Sequence, residues 1–240
     1  MTVGTVIFSR LDSQRLPGKA LKPFAGRPLL GHVIDRALAA EQPTLVVVAT
    51  TDRPTDDGLA RFAEQQGAKV FRGAHLDVLG RALACAEAFR LTALGRISGD
   101  SPFIDPRLID RMIATHKQVG AEVTTNLHPR TFPMGMSFEV IAVDALRRLA
   151  AATDDPSHRE HMTTYIYENP DKFRIHNVTS GIEGSEKVPL VVDSIDDLVQ
   201  ANWLVRRLSE AGMKMTLENV LVLAREWRET SPVENKGRVL

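Results

Sequence analysis

The chain has a single cysteine, no excess of either charge, no long apolar run and neither of the common glycine-rich phosphate loops. Cys85, alone among 240 residues, has no partner for an internal disulfide. It belongs to the apolar set Val78, Leu79, Ala82, Leu83, Cys85, Ala86 and Phe89, which reads as a packed core thiol of a cytosolic protein. The 30 Lys and Arg balance 30 Asp and Glu, which argues against a nucleic-acid partner or a membrane surface held by bulk electrostatics. No apolar stretch reaches the roughly 18 residues that span a bilayer, and no basic segment precedes the short apolar run near the N-terminus. The expectation is a soluble, cytoplasmic protein. Internal repeats, low-complexity tracts and linkers are also missing, so residues 1–230 are expected to form a single domain, with 231–240 a polar, mobile tail. A hydrophobic content of 43% is ample for a core. There is no G-x-x-x-x-G-K-[ST] and no G-x-G-x-x-G, and no persuasive Ser–His or Cys–His pairing marks a protein nucleophile.

What the chain does have is a strand–helix rhythm. Val3 to Phe8 reads as a buried strand, and Thr44 to Thr50, rich in β-branched residues, as a second. Pro28 suits a first helical position, and Leu29, Leu30, Val33, Ile34, Ala37 and Leu38 repeat at helical spacing after it. A helix through Leu59, Phe62 and Ala63 stops near Gly67, followed by a strand over 69–71, a helix over 78–89 and a strand over 93–97. Helices over 107–119 and 217–227 and a strand over 122–126 complete the pattern. Parallel neighbours need crossovers of about a dozen residues, so the fold class is α/β with a mainly parallel sheet covered by helices.

Three segments carry chemistry. Ser9-Arg10-Leu11-Asp12-Ser13-Gln14-Arg15-Leu16-Pro17-Gly18-Lys19 leaves the first strand with three cations, and Pro17-Gly18 turns it. Loops at the C-terminal ends of strands face the ligand crevice of an α/β sheet, so this one suits a polyphosphate, although a solvated basic loop has the same composition. Asp100, in Arg96-Ile97-Ser98-Gly99-Asp100-Ser101-Pro102, lies just beyond a strand at the same sheet edge. A carboxylate there meets phosphates only through a divalent cation such as Mg²⁺; otherwise it fixes the turn before Pro102. Asp193 ends the apolar run Leu190-Val191-Val192, read as a short strand. Ser194 with Asp197 makes a capping-box start for the next helix, and that helix does not need Asp193. His116 reads as a surface residue compensating a helix dipole. His158 and His161 are three apart and lack a third ligand, which argues against a metal there.

The first segment resembles the A-R-x-G-S-x-R-L-P-G-K signature of the cytidylyltransferases that activate acidic sugars, most closely the spore coat polysaccharide biosynthesis protein F branch. Acylneuraminate and 3-deoxy-manno-octulosonate cytidylyltransferases are its relatives. The resemblance implies a Rossmann-like, three-layer nucleotide-diphospho-sugar transferase fold and a homodimer. It also implies Mg²⁺-dependent transfer of CMP from CTP to a small acidic acceptor. Arg10, Arg15 and Lys19 would then meet the phosphates, and Ser9, Ser13, Arg96 and Ser98 would lie on the nucleotide side. Asp100 and Asp193, the latter in a V-D-T-x-x-D-L-like segment, resemble the metal ligands. His128 to Val140 resembles R-T-F-P-x-G-x-D-x-E, and 158–166 resembles R-E-H-V-T-P-Y-I. Those two matches put Arg130, Glu139, Arg159 and His161 on the acceptor side, within an acceptor and dimerisation region over about 126–180. Asp12 in place of Gly, Phe8-Ser9 in place of Gln-Ala and Ser137 in place of Asp depart from the pattern. They keep open a phosphorylated or phosphonylated acceptor, or a lapsed nucleotide-binding scaffold subunit.

Overall fold

A computed structural model describes residues 1–230, so the tail expected at 231–240 lies outside the described residues. Nine strands and nine α-helices are formed there. The strands are β1 (Val3–Phe8), β2 (Pro23–Phe24), β3 (Arg27–Pro28), β4 (Leu45–Thr51), β5 (Lys69–Gly73), β6 (Ala93–Ser98), β7 (Val123–Thr125), β8 (Glu139–Ala142) and β9 (Ile175–Asn177). The helices are α1 (Leu29–Leu38), α2 (Asp57–Gln65), α3 (Val78–Ala88), α4 (Pro106–Val119), α5 (Val143–Ala152), α6 (Pro156–Glu160), α7 (Thr164–Glu168), α8 (Ile195–Glu210) and α9 (Leu217–Thr230). One seven-stranded sheet runs in the order β5-β4-β1-β6-β8-β7-β9. β5, β4, β1 and β6 are parallel to one another, β8 is antiparallel to both its neighbours, and β7 pairs parallel with β9. The fold is the expected α/β sheet, mostly parallel, with helices on both faces.

The period-2 geometry of the central strands builds two cores from one sheet. Val3 and Ile7 of β1, with Val46 and Val48 of β4, face the core formed with α1, α2, α4, α8 and α9. Val6, Val47, Ala49 and Leu94 face the opposite core, formed with α3, α5 and α7, where Cys85 is fully buried. The cysteine thiol is pushed up to about 12 by burial, so it stays protonated at neutral pH.

Four local readings change. Residues 190–193 are not a strand: Leu190 N–H donates to Met134 O at 2.8 Å and Val192 N–H to Asp100 O at 3.0 Å, single bonds to two different segments rather than a ladder. Pro28 lies in β3 and caps α1, because Arg27 and Pro28 pair with β2 in a hairpin with Ala25-Gly26 at its tip. The segment matched at 158–166 is not one helix: α6 ends at its C-cap His161, and α7 begins at Thr164. His116 is 3% exposed rather than at the surface, with Nδ1 3.0 Å from Thr124 Oγ1, and burial lowers its pKa to about 4.

Gly135 locks the 128–140 loop against the segment that carries Asp193. Its φ is +93°, and a Cβ there would stand 2.5 Å from the Leu190 carbonyl carbon. Gly135→Ala is expected to lower the unfolding free energy by about 2–4 kcal/mol, from positive-φ strain plus a clash with rigid backbone, as measured by urea denaturation. For His116, the unfolded state binds the extra proton between pH 6.5 and about 4, so this group's contribution to stability is full above pH 6.5 and falls as pH drops through that window. The acid-side loss of stability is therefore expected to be smaller in His116→Gln than in the parent, and equal slopes in the two proteins would contradict the assignment.

Candidate functional site

The cleft opens where β1 and β6 end. Backbone bonds stitch the two exits together: Gly99 N–H donates to Phe8 O at 2.9 Å, and a Cβ on Gly99 would meet Ser9 Oγ at 2.6 Å, so only glycine permits this approach. Beyond β1 the loop folds back on itself. Gly18 N–H donates to Leu11 O at 2.9 Å and Lys19 N–H to Leu16 O at 3.1 Å, while Leu16 is buried as the anchor. Ser13 Oγ accepts from Leu16 N–H at 3.4 Å, inside this turn. Gly18, at φ +69°, reverses the chain so that Lys19 begins a 3₁₀ turn pointing back over the sheet edge. The space enclosed is about 780 Å³.

Lys19 is the centre of this arrangement. Its Nζ donates to Asp100 Oδ2 and to Asp193 Oδ1, each at 2.6 Å, across 81 and 174 residues of sequence. Arg15 Nη2 donates to the other oxygen of Asp193 at 2.5 Å. Burial alone would lower the Lys19 pKa, but Asp100 and Asp193 outweigh it and the net shift is upward. Asp193 is held from behind: its N–H and that of Ser194 both donate to Asp197 Oδ2, and Ser194 Oγ completes the capping box at the start of α8. The basic loop and the two acidic positions therefore meet at one rim of the sheet.

Arg10 points the other way. Its guanidinium pairs with Asp12 at 3.1 Å and Glu160 at 2.9 Å. Asp12 is also held by Arg53 at 2.8 Å and His75 at 2.5 Å. Burial pushes the Asp12 pKa up, but His75, Arg10 and Arg53 together bring it below the usual carboxylate range. The departure from Gly at position 12 is thus neutralised within the loop instead of opposing a phosphate. Asp56, fully buried, accepts from Leu11 N–H at 2.9 Å and from the Thr51 hydroxyl, tying the basic loop to the end of β4.

Ser9, Arg10, Ser13, Arg15, Lys19, Arg96, Ser98, Asp100, His161 and Asp193 all line the cleft. Three predicted residues do not. Arg159 is spent on Asp154 at 2.9 Å, the Ala150 carbonyl at 3.0 Å and Asp77 at 3.5 Å. Arg130 donates to Ser137 Oγ at 3.1 Å, the residue that stands where the family has Asp. Glu139, put on the acceptor side by the resemblance, is 1% exposed and already accepts from Arg96, Thr163 and Tyr167, so it has no accessible oxygen to offer a ligand. Among the described residues no group of three or more His, Cys, Asp or Glu could hold a metal ion, and His158 instead pairs with Glu168 at 2.8 Å. Sequence reading passed over Arg53, Asp56, His75, Arg81 and Tyr167, which lie in turns and helices with no motif to mark them. Arg81 had one signal, a cation at an inward position of the apolar α3 pattern, and it is 2% exposed with Nε unpaired.

Comparison with known proteins gives the family of the chain. The family model described as cytidylyltransferase matches residues 5–219. The chain is 36% identical to the spore coat polysaccharide biosynthesis protein SpsF of Bacillus subtilis (strain 168) over 92% of its own length and 93% of that protein's. It is 34% identical to the 3-deoxy-manno-octulosonate cytidylyltransferase of Geobacter sulfurreducens, over 48% of this chain and 45% of that one. A solved cytidylyltransferase from Leptospira borgpetersenii serovar Hardjo-bovis (strain JB197) superposes with a TM-score of 0.89 at 29% identity, covering 95% of this chain and 96% of that one. The chain belongs to the cytidylyltransferase family of nucleotidyltransferase enzymes.

Proposed function

We propose that the protein transfers CMP from CTP to an oxygen of an acidic sugar and releases pyrophosphate. The observation that carries this reading is the convergence of Asp100 and Asp193 on one cationic point, with Arg15 and Lys19 at the same rim. In the reaction an acceptor hydroxyl oxygen forms a bond to the α-phosphorus, the bond from that phosphorus to the bridging oxygen breaks, and the electron pair leaves with pyrophosphate. The hydroxyl proton is lost to solvent. No protein nucleophile takes part.

The donor set fits a hard divalent cation. Two carboxylates from separate segments meet at a point already favourable to positive charge, and the rest of a Mg²⁺ shell would come from phosphate oxygens and water, as is usual for this ion. Asp100 and Asp193 would hold it, and it would supply charge neutralisation at the α-phosphate. With the carboxylates so engaged, Lys19 and Arg15 would offer their donors to the oxygens of the leaving pyrophosphate, where preorganised positive charge lowers the barrier. Ser9, Ser13 and Ser98 offer hydroxyls on the nucleotide side of the cleft.

The class of acceptor follows from counting cations on its side. A phosphorylated acceptor calls for two, and neither Arg159, committed to carboxylate and carbonyl partners, nor Arg130, bonded to Ser137, lines the cleft. A carboxylate needs one. The name of the Geobacter sulfurreducens relative, which acts on a sugar acid, points the same way. A lapsed scaffold subunit loses its main support once Asp12 is held by two guanidiniums, with His75 as a further hydrogen-bond partner.

Pyrophosphate release should be measured with CTP, Mg²⁺ and a panel of 2-keto-3-deoxy sugar acids. Turnover is expected with at least one of them, and Asp100→Asn and Asp193→Asn are each expected to reduce kcat by about 100-fold or more. Retention of parental turnover in both variants would falsify the metal assignment. Lys19→Met is expected to reduce kcat/KM for CTP by about 100-fold, with a smaller loss for the more exposed Arg15→Met.

A further inference from the structure

Arg96 sits in β6 directly opposite Glu139 of β8. Its Nη1 donates to Glu139 Oε2 at 2.6 Å, and it makes no bond to any residue of the basic loop. Thr163 Oγ1, at 3.4 Å, and the Tyr167 hydroxyl donate to the same buried carboxylate, and the Tyr167 oxygen also lies 2.7 Å from Thr125 Oγ1. Burial, followed by the neighbouring Glu139 charge, raises the Tyr167 pKa, so the phenol keeps its proton and remains a donor. Every partner of this network comes from the half of the sheet built by β7, β8 and α7. Lys19 and Arg15 of the basic loop pair instead with Asp100 and Asp193, outside this network.

A guanidinium has five N–H donors in a rigid fork, and Glu139 uses one of them. The Arg96 side chain is 28% exposed and lines the cleft with Ser98, Asp100 and His161. Its inner edge is pinned by a carboxylate that is itself fixed by two hydroxyls, which leaves a preorganised cation with spare donors at the cleft wall. That combination suits a bidentate contact with one carboxylate.

We propose that Arg96 anchors the carboxylate of the acceptor sugar acid and that Glu139 is the positioning residue that holds the guanidinium in place. This moves Arg96 from the nucleotide side, where the family resemblance put it, to the acceptor side, and it rests on the acidic-acceptor reading above. A phosphate dianion fits less well, because Glu139 already offsets the Arg96 charge, while Arg130 and Arg159 are engaged outside the cleft lining.

The test uses the full-length protein with the sugar acid of the panel that it turns over fastest, and with the methyl ester of that acid. The parent is expected to prefer acid over ester by about 30-fold or more in kcat/KM, and Arg96→Gln to collapse that preference through a higher acceptor KM. Arg96→Lys should restore part of it, which a purely structural role would not do. Glu139→Gln should raise the acceptor KM while the KM for CTP stays within about twofold of the parent value. If either single variant fails to fold, the double variant Arg96→Gln/Glu139→Gln leaves a neutral pair of the same shape and is expected to lack the acid preference. Stabilisation by CTP alone, read as a shift in melting temperature, should be the same in Arg96→Gln and the parent. Loss of that shift would return Arg96 to the nucleotide, and an unchanged acid-over-ester ratio would remove it as the anchor. Both outcomes leave parental turnover intact. A parent that turns over no acid on the panel contradicts the acceptor reading itself, and the anchor with it.

Discussion

One ammonium shared by two carboxylates is the constraint from which the rest of the site follows. Asp100 and Asp193 arrive from opposite sides of the molecule's sequence and would repel each other at this separation without a cation between them. Lys19 supplies it at 2.6 Å to each. All three side chains are only 15% exposed, so solvent screens the group weakly, and removing one member leaves an uncompensated charge that costs about 3–5 kcal/mol in a buried setting. In the proposed reaction a divalent cation would be held by the two carboxylates, and Lys19 and Arg15 would then turn to phosphate oxygens.

The scaffold around this group is built to hold backbone, not only side chains. The Gly99 amide reaches Phe8, Val192 reaches Asp100, and Leu190 reaches Met134, so three chain segments are tied within a few residues of the charges. Asp56 and the capping box of Ser194 and Asp197 fix the two flanks. These are satisfied backbone groups in partly buried surroundings, where each lost bond is expensive, and they allow irregular loops to place charged atoms reproducibly. The Arg96–Glu139–Tyr167 network does the same on the far wall of the cleft.

Much of this was legible beforehand, for identifiable reasons. β1, β4, β6 and α4 were legible because runs such as Val3 to Phe8 and the Leu108, Ile109, Met112, Ile113 stripe have a period that sterics and burial enforce. Asp100 and Asp193 were singled out mainly by the family resemblance, since a turn before Pro102 explains Asp100 as well, although the helix cap gives no reason for a carboxylate at position 193. The antiparallel course of β8 was not, since a four-residue strand has the same pattern in either direction. Nor was the segment at 190–193, where an apolar run mimics a strand but its amides go to unrelated partners. Arg159 and Glu139 lie in matched motifs and yet do not line the cleft, because a motif carries residue type and spacing but not the rotamer that neighbours such as Asp154 or Tyr167 select. The Asp12 cluster was hidden for the same reason: Arg53 and His75 are far from it in sequence, and nothing local announces the pairing.

The most direct measurement is a crystal structure of the protein with a non-hydrolysable CTP analogue and Mn²⁺, with the ion located by its anomalous scattering. The account predicts one Mn²⁺ bound by both Asp100 and Asp193, with Lys19 moved from those carboxylates onto the terminal phosphates. A nucleotide seated outside this cleft, or an ion held by other residues while Lys19 still bridges the two carboxylates, would contradict it.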